Sequence, residues 1–191
     1  MIVLLGPTGV GKTDAAIDIA LASGCEIISA DSRQFYREMK IGTAVPDDHQ
    51  LAAVRHHFIG FLSVRDYYSA SLFERDVIRI LPDLFNSSGR VILTGGSALY
   101  IDAVCVGIDD IPDVDPDIRE KYTDLYRKEG IESLRVALKI LDPEHFKKVD
   151  LRNPKRIIRA LEICETTGRP YSSFLTNRKR ERDFTIIKIG L

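Results

Sequence analysis

Eight residues near the N-terminus, Gly6-Pro7-Thr8-Gly9-Val10-Gly11-Lys12-Thr13, have the spacing GxxxxGK[ST]. Glycines so placed let successive backbone N–H groups turn inward around phosphate oxygens, and a helix that starts near the lysine adds the positive end of its dipole. Lys12 neutralises terminal phosphate charge in such a loop, and the Thr13 hydroxyl is a ligand for Mg2+. A diphosphate or triphosphate is therefore the expected ligand. The loop alone does not separate a small-molecule kinase using ATP from a transferase that expels diphosphate.

A second chemical position is Asp31, just past the apolar run EIISA, where open α/β sheets place their ligands beside the phosphate loop. Ser32, Arg33 and Gln34 follow it, a polar cluster with no use in a core. Asp31 is either an acid–base group or the N-cap of a helix. A third feature is charge. Between Leu151 and Arg182 stand Arg152, Lys155, Arg156, Arg159, Arg169, Arg178, Lys179, Arg180 and Arg182, against Glu162, Glu165 and Glu181. Arg156 and Arg159, three apart on one helix face, suit the gripping of phosphates. The bland alternative for each cation is a solvated helix face.

These residues need a scaffold, and the apolar pattern supplies one. Ile2 to Leu5 reads as a buried strand, Lys12 to Ala22 as a helix, Glu26 to Ala30 as a second strand and His57 to Phe61 as a third. A helix over Ser69 to Phe85 precedes a strand over Arg90 to Thr94. Strands alternating with helices predict an α/β fold with a mainly parallel sheet flanked by helices. Near Asp109 the pattern changes: IDDIPDVDPD is turn-rich, and helices are predicted over Asp115 to Glu129, Ile131 to Leu141, Pro154 to Thr166 and, briefly, Tyr171 to Asn177. A strand pattern returns at Phe184 to Leu191, and a lone final strand needs an existing sheet to join. The expected organisation is a core domain over 1–114, a helical insertion over 115–182 and a returning core strand over 183–191.

With 45% hydrophobic and 29% charged residues among 191, the chain has ordinary globular composition, and no apolar run approaches the roughly 18 residues that span a bilayer. No membrane association, a cytoplasmic location and a monomer are expected. Cys25, Cys105 and Cys164 are far apart and lack metal-site spacing, so buried free thiols are expected. His56 and His57 are neighbours in a strand and point to opposite faces, which suits no shared metal. Phe35, Tyr36 and Met39 could line an apolar pocket but read better as core.

The phosphate loop, then DSRQFYREMKIGTAVP from Asp31 to Pro46, TGGSALY from Thr94 to Tyr100, and NPKRIIRALEI from Asn153 to Ile163, together resemble the ordered motifs of the tRNA dimethylallyltransferases. The chain differs from the common pattern at Gly9-Val10, Ser97 and Lys155. The resemblance implies a P-loop NTPase-like sheet domain with a helical insertion, and members that continue well past the equivalent of Leu191, so that the chain looks like a fragment. It implies transfer of a dimethylallyl group from dimethylallyl diphosphate to the N6 amine of adenine 37 in the tRNA anticodon stem-loop. Lys12, Thr13, Mg2+ and the loop N–H groups would hold the leaving diphosphate, with Thr8 touching it and Asp31 acting as base. By the same resemblance Ser32, Arg33 and Gln34 border the base, Ser97 and Arg119 touch the RNA, and Lys155, Arg156 and Arg159 hold its backbone. An adenylate isopentenyltransferase, a P-loop kinase and an RNA-binding module that has lost the chemistry are the competing readings.

Overall fold

The computed structural model describes residues 1–176 and 179–191, so Asn177 and Arg178 lie outside the described residues. The chain divides into two compact units, residues 1–108 with 179–191, and residues 109–178.

The first unit runs β1 (Ile2–Leu5), α1 (Lys12–Ser23), β2 (Ile27–Ser29), α2 (Asp48–Ala53), β3 (His56–His57), α3 (Ala70–Ser88), β4 (Ile92–Thr94) and α4 (Ala98–Val106), and closes with the chain's last strand, β5 (Ile187–Gly190). Its sheet has the order β3-β2-β4-β1-β5, and every pairing is parallel. The α/β expectation therefore holds. Alternate side chains of the three central strands bury on opposite faces. Val3, Ile28 and Leu93 meet Phe73, Val77 and Leu81 of α3, while Leu4, Ile27 and Ile92 meet Ala16, Ile17 and Ala20 of α1. Burial on both faces is why these strands read as continuous apolar runs.

Local signals set the ends. Gly24 closes α1 in the left-handed region at φ 62°, and Gly89 closes α3 at φ 71°. Ser69 caps α3 by accepting the Leu72 N–H at 3.3 Å. The third strand stops at His57 instead of running to Phe61, because Phe58 takes φ 64° and turns the chain away. The last strand occupies only Ile187–Gly190 of the expected 184–191. Three helices had no counterpart in the sequence reading: α2, α4 and, in the second unit, the short helix Pro143–Phe146.

The second unit is helical: α5 (Pro116–Glu129), α6 (Ile131–Leu141), α7 (Pro143–Phe146), α8 (Pro154–Thr167) and a 3-10 turn, Tyr171–Phe174. Pro116 and Pro154 stand in first turns, where no N–H is needed, behind the caps Asp115 and Asn153. Tyr122, Leu134, Leu138, Ile157, Ala160 and Leu161 form its core. Asp142 is fully buried within it. Its carboxylate accepts the His145 N–H at 2.9 Å, the Ser172 N–H at 2.7 Å and the Ser172 hydroxyl at 2.8 Å. Burial pushes this carboxyl up, but the three donors outweigh burial and hold it below its ordinary value.

Asp142→Asn turns one acceptor into a donor facing donors, and is expected to destabilise the protein by about 1–3 kcal/mol at neutral pH. Because the native carboxyl titrates below its unfolded counterpart, its contribution is complete above about pH 4 and fades as pH falls through the native value. The gap between wild type and variant in urea unfolding should therefore be constant from pH 7 to 5 and shrink in stronger acid; a gap that widens in acid would contradict this account.

Candidate active site

Three neighbouring strands, β2, β4 and β1, end at one edge of the sheet, and each delivers a functional segment there. After β1 comes the phosphate loop. Its Gly9 and Gly11 take φ 85° and 88°, a region that costs a side chain and not a glycine. Lys12 folds back over the loop, donating to the Gly6 carbonyl at 2.8 Å and the Pro7 carbonyl at 2.6 Å. Thr13 follows in the first turn of α1.

After β2 comes Asp31, 8% exposed. One carboxylate oxygen accepts the Arg33 N–H at 3.1 Å, and the Gln34 N–H returns to the Asp31 carbonyl at 3.0 Å. Residues 32–35 form turns. The N-cap alternative is therefore corrected to an Asx-type turn, and no helix starts here. Phe35 anchors this turn from below. It is fully buried, stacked on Phe73 at 5.3 Å and edge-on to Tyr68 and Tyr100 at 5.4 Å. Phe35 is thus core and does not line the site.

After β4 comes Thr94-Gly95-Gly96-Ser97. A Cβ on Gly95 would lie 2.3 Å from the Ala30 carbonyl carbon, so the backbone passes β2 at a distance only glycine allows. A Cβ on Gly96 would lie 2.8 Å from the second carboxylate oxygen of Asp31. Ser97 precedes α4 but makes no side-chain cap to it. Its hydroxyl instead accepts the Ser32 N–H at 2.9 Å and bonds Ser32 Oγ at 3.0 Å, tying the two loops together.

These segments surround a cavity of about 320 Å³, within the range of small-ligand sites. Thr8, Gly9, Gly11, Lys12, Thr13, Asp31, Arg33 and Gln34 line it. Gly6, Pro7 and Val10 complete the loop without lining the cavity, and Ser32 and Ser97 brace its rim. Other lining residues were not assigned to the site from the sequence: Ser29, Thr43, Ala44, Pro46, His56, Ile59 and Thr94. His56 carries its proton on Nδ1, since the Val54 carbonyl 2.8 Å away can only accept, and burial lowers its pKa. His57 pairs instead with Glu26. The two histidines thus have separate partners, and among the described residues no group of three or more acidic, histidine or cysteine side chains could hold a metal. The three cysteines are free and buried. Thr13 would hold a magnesium ion by sharing it with the phosphates of a ligand, a common mode for that ion.

Arg119, Lys155, Arg156 and Arg159 lie in the helical unit. Lys155 and Arg156 are exposed on α8. Arg119 grips the fully buried Glu162 through both oxygens, at 2.7 and 3.2 Å, and Arg159 approaches the same carboxylate at 3.5 Å. Two cations of the basic run are also engaged in the first unit. Arg180 and Arg182 bind the buried Glu74 at 3.0 and 2.6 Å.

The family described as IPP transferase matches residues 34–191. A protein of Porphyromonas gingivalis named tRNA dimethylallyltransferase 2 is 56% identical over 189 residues, which are 99% of this chain and 63% of that relative. A crystal structure of tRNA delta(2)-isopentenylpyrophosphate transferase from Staphylococcus epidermidis aligns with TM-score 0.55 and 27% identity, covering 99% of this chain and 62% of the other. A eukaryotic dimethylallyltransferase acting on tRNA aligns with TM-score 0.73 at 24% identity, covering 100% and 48%, and shares the fold. That fold is P-loop NTPase-like.

The two glycines make different demands. Gly95→Ala drives a methyl into backbone and is expected to cost on the order of 3 kcal/mol. Gly96→Ala meets a carboxylate that can rotate away, so it should keep the fold within about 1 kcal/mol while displacing Asp31. Urea midpoints of both variants check this, and equal stabilities would show that the loop has more room than the structure gives it.

Proposed function

The chain belongs to the IPP transferase family, and we propose that it transfers a dimethylallyl group from dimethylallyl diphosphate to the N6 amine of an anticodon-loop adenine in tRNA. The observation that carries this reading is that the phosphate loop and Asp31 line one cavity. A kinase needs the loop as much. The pairing of the loop with DSRQ and TGGSALY, and the tRNA-directed names of the relatives, support the transferase.

The adenine N6 lone pair is delocalised into the ring, so it attacks only a carbon ready to ionise and only as its proton leaves. In the proposed step the allylic C1–O bond breaks, the electron pair departs with the diphosphate, and N6 bonds to C1. The N6 proton passes to Asp31. Loop N–H groups and Lys12 hold the charge growing on the leaving group, a role in which preorganised donors are most effective. Magnesium, when bound beside Thr13, neutralises part of that charge. The adenine must leave its stack to enter so small a cavity, as with other enzymes that act on bases. We place Ser32 and Ser97 at the cavity rim against the RNA, and the protein in the cytoplasm as a monomer.

In the helical unit, Lys155 and Arg156 are the cations we assign to the RNA backbone. Arg119 and Arg159 both lie against the buried Glu162 carboxylate, which offsets part of their charge.

With the anticodon stem-loop and labelled dimethylallyl diphosphate, Lys12→Ala should abolish transfer and weaken donor binding in a folded protein. Asp31→Asn should slow the single-turnover step by roughly 10²- to 10⁴-fold with RNA affinity unchanged. Transfer of label from ATP but not from the prenyl donor would replace this reading with a kinase. In a salt titration, Arg156→Ala should reduce the slope of log affinity against log salt by about 1, and Arg159→Ala by less. Equal slopes for Arg156→Ala and wild type would mean that this helix face is merely solvated.

A further inference from the structure

Gln34 ties together several segments that line the cavity besides the phosphate loop: its side chain joins Ser29 to residues 43–44, and its backbone holds Gly60. The Gln34 amide has all its strong bonds inside the protein. Its nitrogen donates to the carbonyls of Thr43 at 3.1 Å and Ala44 at 2.9 Å, and its oxygen accepts the Ser29 hydroxyl at 2.9 Å. The two carbonyls can only accept, which fixes the amide's orientation. The Gln34 backbone carbonyl takes the Gly60 N–H at 2.9 Å, and its own N–H closes the Asp31 turn at 3.0 Å. The segment it grips is not self-supporting. Gly42 and Ala44 both take positive φ, 78° and 50°, and such a conformation at alanine persists only where surroundings hold it. Thr43, 5% exposed, adds one internal bond, from its hydroxyl to the Met39 carbonyl at 2.6 Å.

The cavity's charged lining comes from Lys12, Asp14, Asp31 and Arg33, and polar groups such as Thr43 and His56 also line it. Its apolar lining comes from Ala16 of α1 and from Ala44, Pro46 and Ile59, which lie on or next to the two segments that Gln34 pins. A hydrocarbon tail attached to a diphosphate in the loop has its apolar contacts on that wall.

We propose that the Gln34 side chain is a positioning group that holds the 42–46 segment as the wall receiving the donor's hydrocarbon tail, and so sets how tightly and at what length that tail is accepted. The inference rests on the prenyl-donor reading above. It adds to the sequence expectation, in which Gln34 borders the base: both amide N–H groups are already engaged, and the oxygen keeps one lone pair.

Calorimetry on the 191-residue chain with Mg2+ separates the parts. Inorganic diphosphate reports on the loop alone, while dimethylallyl and geranyl diphosphates add tails of five and ten carbons. Wild type should bind dimethylallyl diphosphate more tightly than inorganic diphosphate; if it does not, the prenyl-donor reading fails, whatever the variants do. Gln34→Met keeps length without hydrogen bonds, and Gln34→Leu removes them with a shorter, branched side chain. Both should bind inorganic diphosphate as wild type does and lose about tenfold of the preference for the five-carbon tail. Their discrimination against the ten-carbon tail should shrink by a similar factor. Ser29→Ala, which removes one anchor of three, should lie between. The inference is overturned if the variants keep the wild-type tail preference, or if they lose inorganic diphosphate binding in the same proportion, since the effect is then not confined to the wall.

Discussion

The candidate site depends on a single close approach, the passage of Gly95 over the end of β2. Parallel strands bring the phosphate loop, Asp31 and the TGGS loop to the same sheet edge, but they leave those loops to find their own spacing. The backbone at Gly95 lies so near Ala30 that a methyl group would overlap its carbonyl. In return, the Ala30 carbonyl accepts the Ser97 N–H at 3.1 Å, and the Thr94 carbonyl accepts the Ala30 N–H at 2.7 Å. Asp31 is thus fixed from three sides: by its own turn, by Gly96 and by the Ser32–Ser97 bonds. A carboxylate held this way loses little freedom when a substrate arrives, which is what acid–base chemistry requires of its supports.

The same economy governs the buried carboxylates elsewhere. Glu74, Asp142 and Glu162 are almost fully enclosed, and each has several donors. A buried carboxylate left alone is expensive, and pairing it makes its partners structural. This divides the basic run into two populations that no count of charges reveals. Arg180 and Arg182 hold the returning chain to α3 through Glu74, with Arg182 also donating to the Ala103 carbonyl at 2.7 Å. Lys155 and Arg156 remain exposed. The long-range field available to a polyanion is set by this second group together with whatever the paired arginines leave uncancelled.

Most of the sheet was legible because strands buried on both faces write themselves as short apolar runs, and the phosphate loop because its chemistry needs a fixed spacing. What escaped did so for physical reasons. Helix α4, ALYIDAVCV, is apolar nearly all round, so it shows no contrast between faces. Helix α2 is a single short segment whose signal was its cap: Asp47 and Gln50 form a reciprocal capping box, visible in the sequence as D-x-x-Q. Gln34 and Glu162 have contacts that the sequence does not reveal. One polar residue in a polar cluster was engaged within the protein, and one acid in a basic run was the anchor for two arginines. Both depend on partners distant in sequence, which local pattern does not carry.

Lys12 shows how the loop prepares for its ligand. An ammonium group has three N–H donors, and two are taken by the carbonyls of Gly6 and Pro7. Ordering a lysine side chain costs up to about 2 kcal/mol, and here the loop's own carbonyls offset that before any anion arrives. Those bonds also join the lysine to the far side of its own turn, so the glycines that give the loop its positive φ values are held from within. The third N–H is left to an incoming phosphate oxygen. A point charge with one directed donor beside a set of inward N–H groups discriminates poorly between a diphosphate and a triphosphate, which explains why this loop by itself serves kinases and transferases alike. On the reading proposed here, selectivity comes from the other residues of the same cavity, among them the 42–46 segment gripped by Gln34.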